Sequence, residues 1–93
     1  MRFESATATA TGQIANRPDP VLAIEFHARS DNAASVVVGH SGSSISSGRE
    51  LTPGEPVAID FRLGDKIGSI PLKDFYVVIS SGGDKVDWTV VLS

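Results

Sequence analysis

The residues that could do chemistry in this chain are few and scattered. The nearest approach to a nucleophile motif is Gly39-His40-Ser41-Gly42-Ser43, a histidine beside a serine among glycines. It misses the G-x-S-x-G elbow by one position, and no helical pattern follows that would set the serine on a strand-to-helix turn. A glycine-rich turn closing a strand is the stronger reading. The two histidines, His27 and His40, fall on separate segments, with His27 on the polar side of its strand, so they do not form a metal set. The eleven acids are dispersed, without calcium-loop spacing and without a pair that spacing alone would place across a cleft. Gly-Asp-Lys occurs at residues 64–66 and 83–85, but the flanks differ and the tripeptide is common turn chemistry, so it marks no repeat. Cysteine is absent, which removes thiol nucleophiles, thiolate zinc sites and disulfides together. The expectation is a protein that is not an enzyme, with no catalytic residue, cofactor or metal.

What, then, do these residues decorate? Ninety-three residues suffice for one domain, residues 1–93, and such a chain buries only roughly 60–65% of the surface it exposes unfolded. With 41% hydrophobic and 20% charged residues, the composition is that of a globular domain built on aliphatic side chains. The formal charge is −3 and the eight Lys and Arg are spread along the chain. That spread offers no basic face of the kind nucleic acid requires, so DNA and RNA are not expected as partners. No window approaches the roughly 20 apolar residues of a membrane span, and residues 1–11 carry no apolar run of secretory length. The expectation is synthesis in the cytoplasm and no membrane partner.

Apolar residues do not recur at helical spacing, whereas period-two alternation appears repeatedly in short runs separated by Gly, Pro, Ser and Asp. Val57, Ile59, Phe61 and Leu63 alternate with Ala58, Asp60 and Arg62. Leu22, Ile24, Phe26 and Ala28 alternate with Ala23, Glu25, His27 and Arg29, and Val86, Trp88, Val90 and Leu92 with Asp87, Thr89 and Val91. Phe75, Val77 and Ile79 supply another inner row, Val36 and Val38 a shorter one, and Trp88 is expected at the centre of the packing. Residues 3–11 alternate Ala with Ser and Thr, which suits an edge strand or N-terminal arm with little apolar mass to bury. Arg17-Pro18-Asp19-Pro20 forces an extended turn before a strand. Thr52-Pro53-Gly54-Glu55 places Pro53 and Gly54 where a type II turn asks for them. Residues 80–84 are expected to join the last two strands as a hairpin, and the Ser-Gly stretch at 41–48 is read as a loop within the domain. Seven or eight antiparallel strands at this spacing predict an all-β sandwich, either a jelly roll or a Greek-key, Ig-like arrangement. On the face assigned outward, Val37, Tyr76, Val78 and Val91 remain apolar, which marks a candidate contact surface.

From about residue 5 onward, the order of motifs resembles a group of small structural proteins of tailed bacteriophages, found among head decoration, head fibre and related virion genes. The motifs are the Thr-rich residues 7–11, Asn16-Arg17 before a hydrophobic strand, Val36-Val37-Val38-Gly39, the Ser-rich residues 41–47, Leu51-Thr52-Pro53-Gly54-Glu55 and Val86-Asp87-Trp88. Many relatives have Tyr within the aliphatic run where this chain has Val37, and Pro18-Asp19-Pro20 lengthens the entry to the next strand. The resemblance implies no catalytic residue. It implies a capsid decoration, or cement, protein on the phage head surface, made in the host cytoplasm, whose partner is the major capsid protein or another virion protein. It implies a homo-oligomer, with a trimer at a three-fold site of the shell as the leading expectation. The alternatives are a tail, neck or fibre component and a β-sandwich module that binds host glycans, for which Phe3 and Tyr76 are the candidate exposed aromatics.

Overall fold

The structure is a computed structural model that describes residues 2–40, 48–60 and 70–92. Its strands are β1 (Arg2–Ala8), β2 (Gly12–Gln13), β3 (Val21–Ala28), β4 (Val36–His40), β5 (Arg49–Leu51), β6 (Pro56–Asp60), β7 (Phe75–Ile79) and β8 (Val86–Leu92), with a short 3-10 turn at Leu72–Asp74. They form two four-stranded antiparallel sheets, ordered β1-β8-β3-β6 and β2-β7-β4-β5. The first strand pairs with the eighth, the second with the seventh, the third with the sixth and the fourth with the fifth. That nested pairing, folded over into two sheets, is the jelly-roll arrangement, so of the two sandwich topologies compatible with the sequence the chain adopts the first.

The alternating rows become the core because a period of two sends every second side chain into the space between the sheets. Ile24, Phe26 and Ala28 from β3 and Val86, Trp88, Val90 and Leu92 from β8 meet Val36, Val38, Leu51, Phe75 and Val77 from the opposite sheet. Fully burying one such aliphatic or aromatic side chain contributes about 1.5–3 kcal/mol. Trp88 is in this core at 5% exposure, together with a pair of phenylalanines. Phe26 and Phe75 are fully buried and face one another between the sheets, with ring centroids 6.3 Å apart.

Two expectations need correction. Leu22 is only half-buried, and Val21 takes the fully buried place instead. The pairing of β3 with β8 shifts between Val21 and Ala23, and an extra residue in one strand reverses the facing of everything before it. Residues 80–84 do not form a hairpin, because β7 and β8 belong to different sheets. They make a turn, closed by Asp84 N–H donating to the Ser81 carbonyl at 3.1 Å, that carries the chain across the sandwich.

Other punctuation behaves as its chemistry requires. The turn at Pro53 and Gly54 is closed by Glu55 N–H donating to the Thr52 carbonyl at 2.9 Å, with Gly54 at φ +88°, the value that the third position of a type II turn demands. Strand β3 begins directly after Pro20, which bridges Pro71. Of the N-terminal segment through residue 11, Arg2–Ala8 is an edge strand in register with β8, and residues 9–11 lie outside the strand. Phe61 and Leu63, the Ser-Gly residues 41–47 and the first Gly-Asp-Lys lie outside the described residues.

Candidate interaction surfaces

The apolar residues expected on the outer face are separated by the fold into two patches on opposite sides of the sandwich. On the outer face of the β2-β7-β4-β5 sheet, Val37 of β4 sits directly opposite Val78 of β7, and Tyr76 sits opposite Gly39. All three side chains are half-buried. Gly39 leaves the space that Tyr76 occupies: a Cβ at that position would lie 3.2 Å from the tyrosine Oη and 3.3 Å from the Gly48 Cα. The Tyr76 hydroxyl is consequently buried, with no hydrogen-bond partner among the described residues. Tyr76 is therefore not the exposed aromatic that the sequence suggests. It packs over its own sheet and extends the Val37–Val78 pair, with Gln13 and Glu50 in register on either side.

Val91 lies on the other outer face, that of the β1-β8-β3-β6 sheet. There it is flanked in register by Phe3 of β1 and Ala23 of β3. Phe3 is 72% exposed, the one large hydrophobic residue so exposed among those described. The next row is Ser5, Thr89 and Glu25, with Ser5 and Thr89 hydroxyls 3.0 Å apart. The third row is Thr7, Asp87 and His27. This face thus grades from apolar at one end to charged at the other. At the charged end, Asp87 accepts hydrogen bonds from Thr7 Oγ1 at 2.6 Å and from Arg29 at 3.0 and 3.1 Å. The Arg29 hydrogen bond, reinforced by Thr7, holds the Asp87 carboxyl below its ordinary value.

Beside the apolar end, Arg17 reaches from the segment before β3 to the edge strand. Its guanidinium grips both oxygens of Glu4, one at 2.8 Å, and donates to Asp19 at 2.8 Å, while Arg2 lies 3.3 Å from Asp19. Hydrogen bonding from Arg17 is the main reason the Glu4 carboxyl is held below its usual range. Glu4 pairs with buried Val90 of β8 and lies on the face of β1 that ends in buried Ala8, although Arg2 and Ala6 on that face are exposed. An inward-directed charge on an edge strand is one way that proteins blunt uncontrolled edge-to-edge pairing.

Two buried polar residues hold the loops at the far end. The Asp84 carboxylate, 4% exposed, accepts from the backbone N–H groups of Ala33 at 2.7 Å and Ala34 at 3.0 Å. Asn32 exchanges two hydrogen bonds with the backbone of Lys85, at 2.8 and 2.9 Å. These residues escape the sequence reading because a loop Asn or Asp is ordinarily solvated, and nothing local marks the pair that locks a distant turn. Among the described residues there is no group of three or more His, Asp or Glu that could hold a metal ion, and no helix long and apolar enough to cross a membrane. His27 is exposed on the charged row, whereas His40 packs edge-on against Phe75 at 5.8 Å, so the two histidines do not meet. Ser41 lies outside the described residues.

No family model matches the chain, and no curated protein or solved structure matches it either. The reading of function therefore rests on the surfaces themselves and on the order of motifs.

Proposed function

We propose that the protein is a structural component of a tailed-bacteriophage virion, a capsid decoration protein that acts as a homo-oligomer, with a trimer the leading arrangement, docked on the major capsid protein at the head surface. The observation that carries this reading is the pair of apolar patches on opposite faces, Val37, Val78 and Tyr76 on one and Phe3, Val91 and Ala23 on the other. A lattice subunit needs two contact surfaces, one toward sister copies and one toward the shell. Each patch is built on three side chains, against the roughly 20–30 residues a side of a stable two-protein interface. One such contact is weak, and oligomerisation lets several act together. The motif order supports the same reading. The jelly-roll frame adds nothing decisive, because virion proteins, lectins and cupins all use it.

The same placement weighs against the glycan-binding alternative. Phe3 and Tyr76 are on opposite faces, and the tyrosine ring is committed to packing over Gly39, so the two rings form no common platform for a sugar. A tail, neck or fibre role makes the same demand for two contact surfaces and is separated by stoichiometry. Quantitative mass spectrometry of purified virions, referenced to the major capsid protein, is the test. A copy number comparable with the shell protein supports decoration. A few copies per particle move the protein to the tail, neck or fibre, and its absence from particles removes the reading.

A further inference from the structure

The edge strand β1 is held in the fold by contacts of an unusual kind. Of its seven side chains only Ala8 is buried. What attaches it is the backbone ladder to β8 along its whole length and a set of polar side-chain contacts, Ser5 with Thr89, Thr7 with Asp87 and Arg29, Glu4 with Arg17 and Arg2 with Asp19. A strand that contributes almost nothing to the core can leave without tearing the core open. Everything it leaves behind, the free edge of β8 and the side chains of Thr89, Asp87 and Arg17, accepts an identical strand from any source. The chain also provides a place to swing from. Three residues, 9–11, separate β1 in one sheet from β2 in the other, and they end at Gly12, whose φ is +139° and around which a Cβ would meet nothing within 4 Å. Only glycine takes that conformation without strain; Thr11 beside it is anchored to the Ile79 backbone by hydrogen bonds of 2.8 and 3.1 Å, so the strand would swing from residues 9 and 10.

We propose that β1 is an exchange strand: the partner it fits is a second copy of this chain, whose β8 edge takes the strand in place of its own. Every intramolecular contact of β1 is remade between copies, so the exchange has little enthalpic cost and is driven by protein concentration and by whatever the two hinge segments gain beside each other. The inference deepens the oligomeric part of the function proposed above by naming the contact. It is tested on purified protein without particles, so that either can fail alone.

The cross-strand pair Ser5 and Thr89 gives the test, since both side chains are exposed, their hydroxyls are 3.0 Å apart and the chain contains no cysteine. Full-length Ser5→Cys and Thr89→Cys variants, each checked by thermal melting and carrying different isotopic labels, are mixed in reductant at high concentration, incubated and then oxidised. Exchange places Cys at position 5 of one copy against Cys at position 89 of another. The expected product is a covalent 5–89 mixed dimer in clear excess over random pairing with the 5–5 and 89–89 dimers, rising with incubation time and protein concentration. A mixed dimer no more abundant than random pairing gives, at every concentration and time, overturns the proposal. Dimers that form in solution without the 5–89 link also overturn it, since they place the contact elsewhere, for instance along the outer edge of β1.

Discussion

Replacing Asp84 by Ala tests whether the far end of the sandwich is held by one buried carboxylate. The two oxygens of Asp84 take two different donors, Ala33 N–H at 2.7 Å and Ala34 N–H at 3.0 Å. A hydrogen bond to a charged group is worth about 1.5–3 kcal/mol net. Ala33 is exposed and Ala34 half-buried, so water can reach both N–H groups once the carboxylate is gone, and the lower end of that range applies to each. The summed loss is about 3 kcal/mol, set against a total stability of about 5–14 kcal/mol for a chain of this length. At about 4–8 °C per kcal/mol, the melting temperature should fall by about 12–24 °C. Asp84→Asn should recover at most one of the two bonds, because its amide nitrogen presents a donor to a donor. The assay is urea unfolding followed by the fluorescence of Trp88, the single tryptophan and 5% exposed in the fold. A loss below about 1 kcal/mol for Ala, or an Asn variant as stable as the parent, would refute the claim that these two bonds hold the turn.

Trp88→Ala removes the largest core side chain and should cost about 3–5 kcal/mol by circular dichroism, enough to threaten folding; a cost under about 1 kcal/mol would remove Trp88 from the core. Val78→Lys alters a half-buried outward position and should leave the monomer folded while lowering the oligomeric mass seen by light scattering, and an unchanged mass would dismiss the Val37–Val78 patch as a subunit contact. Gly54→Val should cost about 1–3 kcal/mol although a Cβ there meets only ordinary contacts, 3.7 Å from Ser30 Cβ, because the penalty is the φ of +88° rather than space; equal stability of the variant would show that the turn relaxes. Glu4 and Asp87 have lowered values in the fold, so their contribution is fully present above the unfolded carboxylate range of about 4 and is lost as pH falls through the lowered folded values. Urea stability should therefore decline between about pH 5 and about pH 2 with a shallower slope in the Glu4→Gln/Asp87→Asn variant, and identical slopes would show that neither carboxylate contributes.

The inner rows were legible because burial on one face imposes a two-residue period that the sequence has to carry. Strands β2 and β5, of two and three residues, are too short to carry a period, and both are defined by partners distant in sequence. The same limit applies at residues 80–84. Their turn chemistry is real, but whether a turn makes a hairpin or crosses between sheets depends on β8 finding β1 and β3 rather than β7. It also explains why alternation alone groups Val91 with Val37, Tyr76 and Val78. Alternation says that a residue faces outward, not which of two outward faces it joins. The bulge at Leu22 is one extra residue within a continuous apolar stretch, where nothing local distinguishes Val21 from Leu22 as the one that turns inward.

The exchange proposal and the apolar patch at Val91 meet in one residue. Phe3 belongs to β1, while Val91 and Ala23 belong to the strands that remain when β1 leaves. In a closed monomer the patch is made by one chain, and in an exchanged pair each patch is made by two. Opening β1 breaks up the patch, and exchange restores it only within an assembly. Docking that depends on this face would then be coupled to oligomerisation through a shared surface, without any change in the jelly roll beneath it. Phe3→Ser separates the two roles, because the Phe3 ring is exposed and leaves the β1 ladder untouched. The variant should exchange as the parent does in the position 5 and 89 cross-linking assay while binding particles more weakly. Equal loss of both would mean that Phe3 acts in holding β1, and loss of neither would leave the Val37–Val78 face as the remaining candidate for docking.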